Sequence, residues 1–94
     1  MYHYVYILQS EKFEETFYTG YTTDLKKRLA KHNNGEVTST SKYKPWKVKN
    51  AFAFVEKERA LAFEKYLKSH SGRAFTKKHF WLLNFSISFT PIHR

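Results

Sequence analysis

Residues 2–9, YHYVYILQ, are aromatic or aliphatic at most positions and too short for a typical helix, which predicts a strand. Alternation puts Tyr2, Tyr4, Tyr6 and Leu8 on one face of it. Residues 17–22, FYTGYT, read as a second short strand. The polar stretch between them holds Glu11, Glu14 and Glu15, three of the eight acidic residues, and has the length of a hairpin connection. Gly20, inside the second strand, either permits a bulge or lets another group approach the backbone closely.

Outward from this hairpin, Thr22, Thr23 and Asp24 supply helix-start chemistry, and Asn33, Asn34 and Gly35 supply the stop, which predicts a first helix over residues 24–33. Residues 36–45 are polar and rich in Ser and Thr, a loop leading into WKVKNAFAFV at 46–55, the third strand, with Pro45 at its entrance. Strong helix formers in EKERALAFEKYLKSH predict a second helix over 57–69, and a short third one follows at 72–80. Leu83, Phe85, Ile87 and Phe89 alternate with polar residues, so the tail 83–94 reads as an added strand or a cover over the core. The expected fold class is α+β: one domain over residues 1–82, a three-stranded antiparallel sheet flanked by about three helices, followed by the tail.

Ninety-four residues leave no room for a second domain. Seventeen Lys and Arg against eight acids give a formal charge of +9, which points to a polyanionic partner. The 19% aromatic content supplies a core of large rings without stapling. With no cysteine, disulfides, Cys-ligated zinc and thiol catalysis are excluded. No apolar run approaches the roughly 20 residues of a membrane span, and the N-terminus does not resemble a signal peptide, so the expected location is the cytoplasm.

Two helices carry anomalies. Leu25, Arg28, Leu29 and His32 share one helical face, so an arginine and a histidine sit beside a core-facing stripe and need specific partners. The bland alternatives are an ion pair or snorkelling stem for Arg28 and a hydrogen-bonded edge position for His32. Lys26, Lys27 and Lys31 point elsewhere and suit solvent. In the second helix Glu64 borders a stripe of Ala60, Leu61 and Leu67, where it requires pairing, with Arg28 as the structural option, or a hard cation such as Mg²⁺ as the functional one. The five histidines lack the short paired spacings of a zinc site, and no G-x-S-x-G turn is present. In KYKPWKVK, Lys42, Lys44, Lys47 and Lys49 alternate with Tyr43 and Trp46, a composition suited to phosphate contacts and base stacking. An edge strand guarded by lysines would have the same composition.

YVYIL, then FYTG, then LKKRLAKHN, then FEKYLK and SGRAFTKKHF, in this order and spacing over residues 2–80, resemble the GIY-YIG endonuclease superfamily, in particular its small stand-alone members. Relatives include the N-terminal nuclease domain of the bacterial nucleotide-excision-repair endonuclease. Matched position by position, the resemblance implies that Tyr6 and Tyr18 are the two motif tyrosines, Arg28 the family arginine, His32 its His or Tyr, and Glu64 its metal-binding glutamate. YVY stands for GIY, with Tyr4 at the glycine, and YTG for YIG; Tyr21 occupies a position where the excision-repair relative has lysine.

The implied chemistry is one-metal phosphodiester hydrolysis of DNA, in repair or in processing of branched or single-stranded substrates, with Glu64 holding Mg²⁺ or Mn²⁺ and Arg28 stabilising phosphoryl charge. Tyr6 would take or relay the proton of the attacking water, helped by Tyr18 and His32, its phenol brought into range by Arg28 and the metal. DNA is the expected partner ahead of RNA, with weak sequence selectivity. The rival readings are a non-catalytic nucleic-acid-binding module of the same fold and a protein-interaction adaptor that uses the tail.

Overall fold

In the computed structural model, which describes residues 1–76, the aromatic opening stretch forms β1 (His3–Ser10), the central strand of a three-stranded antiparallel sheet of order β2-β1-β3. β2 (Phe17–Thr22) and β3 (Trp46–Phe54) flank it. α1 (Leu25–Asn33), α2 (Lys57–Lys68) and α3 (His70–Thr76) complete the described chain, with one 3₁₀ turn at Ser41–Tyr43 ahead of β3. The α+β class, the three-stranded sheet and the three helices agree with the sequence reading.

Because β1 is central and helices pack on both sides, it is buried on both faces, not only on the face of Tyr6 and Leu8. Val5 and Ile7 pack with Ala60 and Leu67 of α2, joined by Phe17, Tyr21, Phe52, Phe54 and Phe63. Tyr6 and Leu8 pack on the opposite face with Trp46, joined by Tyr18, Leu25, Leu29 and Tyr43. Tyr2, expected on that second face, lies before the strand and is 53% exposed. Leu61, expected in the α2 stripe, is also exposed; Phe63 takes its place against Phe52 and Phe54.

The hairpin turn is organised by Ser10, fully buried, whose hydroxyl accepts from the amides of Lys12 and Phe13 and donates to the carbonyl of Tyr43. β1 and β2 pair without interruption, so Gly20 marks no bulge. The irregularity lies between β1 and β3, where Ile7 faces Asn50 but Leu8 faces Val48, leaving Lys49 as the extra residue.

Asp24 caps α1 from outside the helix, its carboxylate accepting from the Lys27 amide at 3.0 Å. The helix ends in a Schellman arrangement: Glu36 N–H donates to Lys31 O and Gly35 N–H to His32 O, with Gly35 at φ +76°. α2 stops at Lys68, one residue short of expectation, because Ser69 caps the next helix by accepting from Gly72 N–H, so α3 starts at His70 instead of Gly72. The expected end of that helix, the domain boundary at residue 82 and the alternating tail lie outside the described residues. Among the described residues no helix is long and apolar enough to cross a membrane.

Candidate active site

The site is built on the α1 side of the sheet. Tyr6, 1% exposed, reaches its hydroxyl across the β2 backbone at Gly20, directly opposite in the hairpin register. A Cβ at position 20 would overlap the Tyr6 phenol, so the close approach is the reason for glycine there. Tyr18 lies beside it, ring centroids 6.4 Å apart, and its ring is 5.0 Å from that of His32.

α1 delivers two partners to this phenol. The 3.6-residue repeat that seats Leu25 and Leu29 in the core turns Arg28 and His32 the same way, as the sequence spacing requires. Arg28 Nε donates to the Tyr6 oxygen at 3.3 Å, and His32 Nε2 lies 3.0 Å from that same oxygen. His32 is fully buried, and its other ring nitrogen, Nδ1, is 2.8 Å from the hydroxyl of Thr40, itself 1% exposed.

Burial, and secondarily the Arg28 charge, pushes His32 down to about 4, so the imidazole is neutral at physiological pH. Burial also raises the Tyr6 phenol; the hydrogen bond from Arg28 opposes this without cancelling it, and the charges of Tyr18 and Glu64 push the same way as burial. Of the two sources expected to bring the phenol into range, Arg28 and a cation, Arg28 alone is outweighed by desolvation, so the phenol beside it is protonated at physiological pH. The bond to Tyr6 in turn holds the Arg28 guanidinium more firmly charged than usual.

Glu64 approaches from α2, near enough for its charge to act on Tyr6. Its partner is Lys68, one turn along, at 3.1 Å, and not Arg28. Lys68 Nζ also lies 5.7 Å from the Tyr18 ring centroid. Among the described residues no group of three or more His, Asp or Glu could hold a metal. A hard cation bound by a single carboxylate and completed by water and substrate phosphate is compatible with Glu64, whose side chain keeps 20% of its surface exposed; a cation held by protein ligands alone is not.

Beside Arg28 opens a cleft of about 380 Å³ lined by Thr22, Thr23, Asp24, Lys27, Arg28 and Lys31. Asp24, its one acid, is engaged in capping α1. Lys27 and Lys31, read from the sequence as ordinary solvent-facing lysines, thus share a basic surface with the site arginine. The signal was present in the sequence as i, i+4 cations next to Arg28, but only the cleft distinguishes them from Lys26.

KYKPWKVK is divided by the fold. Trp46 is 3% exposed, its ring N–H donates to Thr40 O at 3.0 Å, and its backbone pairs with the Asn33 side chain, so it is a core residue and offers no face to a base. Tyr43 is partly buried against Trp46 and edge-on to Phe13, with Lys42 Nζ 5.8 Å from its ring centroid. Lys42 and Lys44 are exposed on the loop, and Lys47 is exposed on β3, an outer strand of the described sheet. Lys49 is half-buried at the bulge, where burial and then Lys47 lower its pKa. The guarded-edge reading therefore describes Lys47 and Lys49 better than base stacking does.

The model of the GIY-YIG catalytic domain matches residues 2–79. A UPF0213 protein of Streptococcus pyogenes serotype M3 is 42% identical over 72 residues, 76% of each chain, and one of serotype M5 is 40% identical over the same share. The solution NMR structure of a UPF0213 protein from Bacillus halodurans is 31% identical, with a TM-score of 0.53, covering 96% of this chain and 100% of that one. A catalytic-domain match over most of the chain, with relatives this similar beside it, makes the protein a member of the GIY-YIG family, a nuclease superfamily.

Proposed function

We propose that the protein is an endonuclease that hydrolyses phosphodiester bonds in DNA with the help of one divalent cation. The observation that carries this reading is the buried hydrogen-bonded set Arg28, Tyr6 and His32, bordered by Glu64 and opening beside a basic cleft. A neutral histidine and a protonated phenol joined out of solvent cost desolvation, and titratable groups so perturbed cluster at sites of chemistry, which supports catalysis over binding alone.

Glu64 would hold Mg²⁺ or Mn²⁺, which would neutralise charge on the scissile phosphate and its departing oxygen. Arg28, with Nε on the Tyr6 phenol and a further interaction with Tyr18, would turn another N–H group to a phosphoryl oxygen. Water attacks phosphorus as the bond to the departing oxygen breaks. One water proton goes to the Tyr6 oxygen while the phenol's own proton passes to His32 Nε2, and the departing oxygen takes a proton from solvent. His32 then returns its proton through Tyr6 to solvent. This relay suits the raised phenol, since no free phenolate is required at rest. Tyr18 packs the phenol and the imidazole into position. Lys27, Lys31, Lys42 and Lys44 would meet flanking phosphates, without base contacts to specify sequence. Repair, or the processing of branched or single-stranded DNA, is the role this weak selectivity suits.

The second reading, a binding module without catalysis, is favoured by one contact: Lys68 already neutralises the carboxylate that would take the metal. The test is incubation of the wild type and Glu64→Ala with labelled single-stranded, duplex and branched DNA and with RNA, in Mg²⁺, Mn²⁺ or EDTA. Metal-dependent cutting by the wild type alone is expected, with binding by the variant largely kept. No cutting by either, with equal salt-sensitive binding, would replace the nuclease by the binding module.

A further inference from the structure

We infer that Thr40 is a positioning residue: its hydroxyl holds His32 in the Nδ1–H tautomer and so leaves Nε2 free to take the phenolic hydrogen of Tyr6. The catalytic consequence rests on the nuclease reading; the tautomer does not.

A neutral imidazole has one N–H and one lone pair, and here both nitrogens are engaged in the interior, so the neighbours decide which is which. Two independent ends of the chain of hydrogen bonds give the same direction. At one end Arg28 Nε is a donor only, so the Tyr6 oxygen accepts from it. The phenolic hydrogen then needs an acceptor in a place that is 1% exposed, and His32 Nε2 at 3.0 Å is the one it meets. At the other end the Thr40 hydroxyl donates to the carbonyl of Val37 at 3.3 Å, an acceptor only, so its oxygen accepts from His32 Nδ1–H at 2.8 Å. The opposite polarity aims two N–H groups at the Tyr6 oxygen and leaves the phenolic hydrogen buried without a partner, which favours the first arrangement strongly.

Thr40 is itself fixed from three sides. Its amide donates to Val37 O, and its carbonyl accepts from both the Trp46 indole and the Tyr43 amide. Its β-branched side chain has little rotamer freedom, so the hydroxyl stays aimed at the imidazole. This also accounts for Trp46, which acts on the site through Thr40 and not through a nucleotide.

The test reads the ring nitrogens of His32 by long-range ¹⁵N–¹H correlation NMR in the full chain, for the wild type, Thr40→Val and Thr40→Ser. The Nδ1–H tautomer is expected in the wild type and in Thr40→Ser. In Thr40→Val, which keeps the shape and loses the acceptor, Nδ1–H is left without a partner while Tyr6 still favours it, so part of the population is expected to move to the Nε2–H tautomer, with kcat falling in proportion to the Nδ1–H fraction lost, roughly twofold to tenfold, at unchanged KM and restored in Thr40→Ser. An Nε2–H tautomer in the wild type overturns the inference, even if Thr40→Val does not fold. So does an unmoved tautomer in Thr40→Val, or a moved one with unchanged kcat. If the wild type cuts no substrate, the nuclease reading and Thr40's part in catalysis fall together, while the hold on His32 is still decided by the spectra.

Discussion

His32 couples the site to pH through a depressed pKa. Its folded value of about 4 lies below the unfolded value of 6.5, so between these the unfolded chain carries a proton that the native state does not. Stability therefore rises with pH across this window, and is lost as pH falls from about 6.5 towards 4, by up to about 3 kcal/mol from this one group. Urea unfolding of the wild type and His32→Gln from pH 4 to 7 should show the wild type losing this increment and the variant lacking it, with the other histidines cancelling in the difference. Parallel curves would mean that the imidazole is charged in the fold. The sequence placed His32 on the core-facing stripe but left it ambiguous between an edge residue and a buried one, because helical spacing gives direction and not depth.

At the level of elements, α1 was readable almost to the residue, since Asp24 and Gly35 have backbone reasons to be where they are. The segment leading into β3 was not. KYKPWKVK has the same composition whether its rings face a base or the core, and only the packing of Tyr6, Leu8 and Tyr43 around Trp46 decides. Trp46→Ala is expected to lower stability by about 3–5 kcal/mol, the range for truncating a buried aromatic. By contrast, Tyr43→Ala should weaken single-strand binding more than Trp46→Phe does, read by fluorescence polarisation of a labelled oligonucleotide. Equal stability of Trp46→Ala and the wild type would return the indole to the surface.

Across the molecule the charge of +9 becomes a surface only where the fold collects it, and α1 with the cleft beside Arg28 is one such place. Replacing Lys27 and Lys31 together by Ala, in a Glu64→Ala background so that substrate survives, should weaken binding uniformly across sequences. The slope of log K against log salt should fall by about 2, roughly one for each phosphate that the variant no longer neutralises. An unchanged slope would move the nucleic acid off this face.

The sequence by itself determined the α+β class, the hairpin, the α1 caps, the shared face of Arg28 and His32, and the family through the spacing of its motifs. These follow from periodicity, turn chemistry and motif order, which are local properties of the chain. Only the tertiary structure decided that β1 is buried on both faces, that Arg28 turns to Tyr6 and not to Glu64, that Trp46 belongs to the core, and that Thr40 closes the chain of hydrogen bonds from Arg28. Each depends on which residues, distant along the chain, desolvate the same small volume. That competition is settled by packing and burial together, and no spacing in one segment encodes it.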